Sequence, residues 1–256
     1  MKILITGYKG FIGQNAVNAL KDIHDLVMFE WGDRYPDLKG IDCVMHFGAI
    51  SSTTERNVEK IMRQNYDFSV LLHQYCAREN IKFQYSSSAS VYGLNKSFAE
   101  TDPVDPRTPY AWSKYMFDKY VNDHPTQNDV QGFRYFNVYG PHEEHKGNQA
   151  SPYQQFKKQA IDTGVIKLFK GSENYLRDFV PVETVIDIHI KFLDITESGI
   201  WNVGTGTVKS FQEVAEEIAF LYNVRIEYID MPDNLKSSYQ EYTKADLAKL
   251  NRTLGS

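Results

Sequence analysis

Cysteine is scarce in this chain of 256 residues: Cys43 and Cys76 are the only two. Both sit in apolar runs, so the expectation is a pair of buried thiols in a reducing cytosol, and a disulfide-stapled scaffold is excluded. No apolar run approaches the roughly 20 residues of a membrane-spanning helix. The opening stretch Met1 to Thr6 meets Gly7 too soon to hold the apolar segment of a secretory leader. Positive charge is not in excess either, since 28 lysines and arginines face 33 acids for a formal charge of −5. Neither a nucleic-acid partner nor a membrane is therefore expected, and the cytoplasm is the expected location. Internal repeats, low-complexity tracts and blocks of like charge are absent.

What is present is the composition of an ordinary globular domain, with 42% hydrophobic and 24% charged residues. Short apolar runs at 2–6, 26–29, 43–47, 82–86 and 130–136 alternate with helical patterns at 12–21, 58–80 and 110–122. This β-α-β order predicts an α/β fold, a doubly wound parallel sheet of Rossmann type. The segment 31–41, with Gly32, Pro36 and Gly40, is too short for a helix and a strand, so one crossover unit is shortened or missing. Beyond Gly140 the pattern loosens. Residues 1–140 plus about 178–203 are read as the dinucleotide-binding domain, and 141–177 plus 204–256 as a smaller substrate-binding lobe. Ser210 and Glu213 form a capping-box pattern ahead of a helix over 211–222.

Three motifs carry chemistry. Gly7, Gly10 and Gly13 form GxxGxxG between the first strand and first helix, where bare backbone admits a pyrophosphate to the helix N-terminus. Alone this could be a tight turn. Glu30, seventeen positions past Gly13, stands near the roughly 20 expected of a ribose-binding acid. Tyr110 and Lys114 make YxxxK, which places both on one helical face, so that an ammonium favours the phenolate. The run Tyr85 to Gly93 holds Ser88 at the C-terminal end of a strand, where open α/β sheets bind ligands. A surface helix pair and turn serines are the plain alternatives, and the ordered combination speaks against them. His142 and His145 flank Glu143 and Glu144 in a loop, but without a third ligand no metal is expected.

The chain resembles the extended short-chain dehydrogenases that act on nucleotide-sugars, and within them the ADP-glycero-manno-heptose 6-epimerases. The residues that carry the likeness are Gly48 to Glu55 (GAISSTTE), Phe133 to Pro141 (FRYFNVYGP), His145-Lys146-Gly147, Phe169 to Asn174 (FKGSEN) and Arg177 to Val180 (RDFV). Pro232 to Lys236, Tyr239-Gln240 and Thr243 to Leu247 extend it. The resemblance implies Ser88, Tyr110 and Lys114 as the catalytic set and Lys146 as a second acid/base. It implies a cofactor side of Gly7, Gly10, Phe11, Ile12, Gly13, Gly48, Ala49, Ser51, Gln64 and Val138. It further implies substrate contacts from Asn137, Lys146, Asn148, Phe169, Gly171, Ser172 and Tyr239, with Arg177 on a phosphate. Gln64 stands where the family has asparagine, and Asn65 follows it.

The resemblance points to NADP, with Arg34 as the available basic residue, while Glu30 points to the free ribose of NAD. The expected activity is epimerisation of an ADP-heptose-like nucleotide-sugar by transient oxidation, in a homo-oligomer. A nucleotide-sugar 4-epimerase, a 4-keto-sugar reductase and a non-catalytic dinucleotide-binding scaffold or sensor are the alternatives.

Overall fold

Each apolar run of the first half becomes a strand. The computed structural model describes residues 1–232 and 240–255. Strands β1 (Lys2–Thr6), β2 (Asp25–Phe29), β3 (Cys43–His46), β4 (Lys82–Ser88), β5 (Val130–Tyr135) and β10 (Gly199–Val203) form one sheet in the order β10-β5-β4-β3-β1-β2. Every pairing in it is parallel. All four residues of β3 are buried, as a strand covered on both faces requires.

Helices α1 (Phe11–Leu20) and α6 (Val182–Lys191) cover one face. There Ile3, Ile5, Cys43 and Met45 pack against Phe11, Ala16, Val182 and Ile186. The other face is covered by α4 (Pro109–Asp123) and a long helical run composed of α2 (Val58–Ile61), a π turn (Met62–Asp67) and α3 (Phe68–Arg78). Leu72, Cys76, Phe117 and Val121 close that core over Leu4, Val44 and Phe83. Both cysteines are buried free thiols.

Segment 30–42 contains neither helix nor strand, so β2 is the sheet edge and the missing crossover is a bare loop. Leu38 and Ile41 pin it to the core. Gly32 and Gly40 turn it at positive φ, +99° and +73°.

After β5 the chain leaves the sheet. Strand β6 (Asn137–Tyr139) pairs in parallel with β9 (Phe179–Pro181). Helices α5 (Pro152–Thr163) and α7 (Phe211–Tyr222) pack over the parallel pair β7 (Val165–Phe169) and β12 (Arg225–Ile229). The Ser210–Glu213 capping box is present at the start of α7. Strand β8 (Leu176–Arg177) joins β11 (Lys209–Ser210) and β13 (Tyr242–Thr243) in a three-stranded sheet. The division at 204–256 needs one correction. The final helix, Ala248–Leu254, packs on the main sheet, because Leu250 finds its apolar partners in Phe133, Phe192 and Trp201. No helix among the described residues is long and apolar enough to cross a membrane.

Candidate active site

At the C-terminal ends of β1, β3 and β4 the sheet opens into a cleft of about 180 Å³. Gly7, Gly10, Phe11, Ile12, Gly13, Ala49, Ser51, Tyr110, Lys114 and Lys146 all line it, so ten of the residues singled out above converge. A narrower pocket of about 60 Å³ shares Gly7 and Ala49 with it and adds Glu30, Gly48 and Gln64. Together they form one trough running from Lys146 to the sheet edge.

The glycines fit a dinucleotide. A Cβ on Gly13 would stand 2.1 Å from the Gly7 carbonyl oxygen, and one on Gly7 2.5 Å from Gly48 Cα. Only bare backbone fits that cradle, and Gly10 opens α1 at its base. Ser87 lines the same cleft, and its buried hydroxyl has no hydrogen-bond partner among the described residues.

Helix α4 presents the reactive face. Its N-terminus is held by Thr108, whose Oγ1 accepts the Ala111 N–H at 3.1 Å, with Pro109 in the first turn. Tyr110 and Lys114 then fall on one face. Lys114 is 6% exposed and donates Nζ to the Ser86 carbonyl at 2.8 Å. Burial pulls its ammonium down to about 8, against the charge of Asp118 one turn on. Burial raises the Tyr110 phenol and a hydrogen bond with Ser88 draws it back down. The Lys114 ammonium donates to a backbone carbonyl and lies 6.0 Å from the Tyr110 ring centroid. Ser88 ends β4 and also caps the following turn, accepting the Ser90 N–H at 3.2 Å.

Across the cleft Lys146 stands over the Phe11 ring, 5.1 Å from its centroid, and burial lowers its ammonium. The π turn explains Gln64 and Asn65. Gln64 faces the narrow pocket, while buried Asn65 accepts the Ile50 N–H at 2.7 Å and donates to the Ser113 hydroxyl at 3.1 Å. Asn65 so ties the Gly48 to Ser51 turn to α4.

Other expected residues lie elsewhere. Arg34 is exposed and is not among the residues lining the trough, because the loop carries it outward. Val138 packs with Ile12 into the core beneath the glycine turn. Asn137 gives its N–H to the Asp178 carbonyl. Phe169 and Ser172 line a separate lobe cavity of about 280 Å³ with Phe156, Phe211 and Met231. Gly171, at φ +83°, makes the turn between them. Arg177 is engaged by protein, donating to the Leu176 and Gln240 carbonyls beside the Phe211 ring. Asn148 lies in an outer groove along α5. Tyr239 and the stretch 233–236 lie outside the described residues.

Sequence reasoning missed Phe47, Ser86, Ser87, Tyr135 and His145 in the cleft, and Phe29, Trp31 and Phe68 in the narrow pocket. Tyr135 donates to His189 Nε2 at 2.5 Å and accepts from Ser86 at 3.2 Å. Burial holds His189 near 3, hence neutral. Tyr135 lies inside a quoted motif and Trp31 directly follows Glu30, which were the available signals.

The profile of the NAD dependent epimerase/dehydratase family matches residues 3–204. The fold is similar to that of an ADP-L-glycero-D-manno-heptose-6-epimerase from Helicobacter pylori, with TM-score 0.88, 28% identity, and coverage of 99% of this chain and 90% of that one. It is similar to a UDP-N-acetylglucosamine 4-epimerase from Methanobrevibacter ruminantium in complex with UDP-N-acetylmuramic acid, with TM-score 0.88, 23% identity, and coverage of 98% and 91%. It is similar too to RMD from Pseudomonas aeruginosa complexed with NADPH, with TM-score 0.82, 23% identity, and coverage of 99% and 92%. The two at 23% share the fold.

Proposed function

The chain belongs to the NAD dependent epimerase/dehydratase family, and from that premise we propose that it inverts one carbinol centre of an ADP-heptose-like nucleotide-sugar by transient oxidation. One observation carries this reading: Tyr110 and Lys146, two separate proton-handling groups, line a single cleft together with the glycine cradle. A simple reductase needs only the first.

When bound, the oxidised nicotinamide supplies the acceptor for the electron pair leaving the carbinol carbon. Tyr110 takes the hydroxyl proton as general base, and Ser88 hydrogen-bonds the oxygen as it becomes a carbonyl. Lys114 anchors the ribose side of the cleft. The ketone turns over and takes the hydride back on its other face, while Lys146 gives a proton to the oxygen presented on the opposite side. The lobe cavity, lined by Phe169, Phe211 and Ser172, takes the nucleotide base. Glu30 lines the ribose side of the trough while Arg34 does not, so NAD rather than NADP is the preferred cofactor. The exposed Leu71, Trp112 and Met116 on α3 and α4 are the face for a second copy, and the free thiols suit a cytoplasmic setting.

The test is proton NMR of ADP-L-glycero-D-manno-heptose incubated with the protein and NAD, with UDP-glucose and UDP-N-acetylglucosamine in parallel. Appearance of the C6 epimer supports the reading. Inversion of only the UDP-sugars moves the assignment to a 4-epimerase. In Lys146→Ala, interconversion should stop in both directions, while one epimer alone still reduces bound NAD. Persisting epimerisation removes Lys146 from the chemistry.

A further inference from the structure

One wall of the trough is held by a buried chain of hydrogen bonds. The turn from Gly48 to Ile50 closes against the glycine cradle, where a Cβ on Gly7 would stand 2.5 Å from Gly48 Cα. Its first residue gives its N–H to Thr6 Oγ1 of β1 at 3.2 Å. Its last residue is gripped at both backbone atoms by Asn65 of the π turn, which accepts the Ile50 N–H at 2.7 Å and donates to the Ile50 carbonyl at 2.9 Å. A single ring, His46 of β3, joins these two grips. His46 Nδ1 lies 2.6 Å from Thr6 Oγ1, and His46 Nε2 lies 2.8 Å from Ser69 Oγ of α3. Ser69 in turn donates to the Asn65 carbonyl at 2.7 Å. Thr6, His46, Asn65 and Ser69 are all buried, none more than 3% exposed. The second amide hydrogen of Asn65 goes to Ser113 Oγ, which donates to the Tyr110 carbonyl, so the same asparagine also meets the reactive helix.

These partners leave one arrangement of protons. Ser69 has a single hydroxyl proton and a carbonyl can only accept, so that proton goes to Asn65 and Ser69 accepts from His46. The imidazole therefore carries its proton on Nε2. Burial holds His46 near 3, so the ring is neutral and Nδ1 is bare. Nδ1 then accepts the Thr6 hydroxyl, whose oxygen already accepts the Gly48 N–H. Every donor points the same way, from Gly48 through the ring to Asn65. The ring itself packs against Phe68 and Phe83, with centroids 5.7 and 6.0 Å away. A phenylalanine would serve that packing without the desolvation of two ring nitrogens. We propose that His46 is a positioning residue: through this chain it fixes the 48–50 wall of the cofactor trough. Neither His46 nor Ser69 is among the residues lining the trough, so both act through the chain. The proposal rests on the reading of the trough as the dinucleotide site and needs no particular sugar.

The experiment is calorimetric NAD titration of the full chain in a double-mutant cycle. Thr6→Val and Ser69→Ala cut the chain on opposite sides of the ring. Each should weaken NAD binding about fivefold, the worth of one buried hydrogen bond. Thr6 borders the narrow pocket and Ser69 does not, so the Ser69 effect is the one that reports transmission. The double variant should bind no more weakly than the worse single, because either cut opens the same chain. Losses that multiply, to about 25-fold, overturn the proposal, as does unchanged affinity in Ser69→Ala. A merely structural role would lower the melting temperature of each variant and leave NAD affinity where it was. His46→Phe should bind NAD as the double variant does, and if it does not fold the cycle decides without it. Nitrogen-15 NMR of the imidazole, which needs no cofactor, should show the neutral Nε2–H tautomer at pH 7, and the Nδ1–H tautomer or an imidazolium overturns the chain. Gly13→Val protein that binds NAD as well as wild type would sink the reading of the trough, whereas loss of binding there with Ser69→Ala unchanged sinks the proposal alone.

Discussion

The two ends of the trough are built by different means. At the reactive end the strand termini of β1, β3 and β4 meet the first turns of α1 and α4. Nearly every polar group there has a second anchor: Lys114 on the Ser86 carbonyl, Tyr135 between Ser86 and His189, Asn65 between Ile50 and Ser113. One turn along α4, buried Asp118 accepts from Arg134 at 2.9 Å and from Tyr85 at 3.1 Å. At the sheet edge no strand follows β2, and side chains from a bare loop make the wall instead. Trp31 meets Phe68 edge-on at 5.5 Å, Phe29 stacks on Phe68 at 5.5 Å, and Tyr35 reaches the same ring at 6.1 Å. Trp31 is 42% exposed against 6% for Lys114. On the proposed function, chemistry would be set where secondary structure over-determines the side chains, and cofactor affinity would be left to ring contacts on a loop. Damage at the two ends should therefore separate into rate and binding.

The largest effect belongs to the reactive end. Tyr110→Phe is expected to lower turnover by about 10²–10⁴-fold, the range of general-base catalysis, with NAD affinity unchanged. Calorimetric NAD titration and NMR turnover check it, and loss of binding together with rate would break the separation.

Lys114→Met should cut turnover and yet raise the melting temperature by a few °C, because it removes a buried ammonium. The sign follows from the lowered pKa of about 8. Below that pH the wild type carries a charge that folding disfavours. As pH rises above about 8 the folded form sheds the proton that the unfolded chain keeps, so wild-type stability climbs and the advantage of the variant shrinks. Melting curves at pH 7 and pH 9.5 test this, and a variant less stable at pH 7 contradicts it.

At the sheet edge, Trp31→Ala should weaken NAD binding by about two- to tenfold, the worth of an aromatic pair, and leave the turnover of saturated protein untouched. A change in turnover would mean that the edge also orders the reactive end. The smallest effect is reserved for Arg34→Ala, expected to alter affinity for NAD and NADP by less than about twofold, since the exposed side chain lies off the trough. A selective loss of NADP binding would put Arg34 back into the site.

Local pattern and short-range spacing were enough to place the glycine cradle, Ser88 at a strand end, the Tyr110 and Lys114 pair, the helix over 211–222 with its capping box, and the missing unit at 31–41. Each of these depends on residues a few positions apart, and periodicity and turn chemistry report such relations directly. The position of Lys146 over Phe11 was not legible in that way, because it joins residues 135 positions apart across the sheet. The same holds for the final helix, whose Leu250 turns to Trp201, and for Arg34, whose loop carries it outward. A burial partner is chosen by which surfaces the folded layers bring together. Spacing along the chain carries no record of that choice, so the sequence determined which groups could do the chemistry, and the packing of the layers decided which of them meet in one cleft.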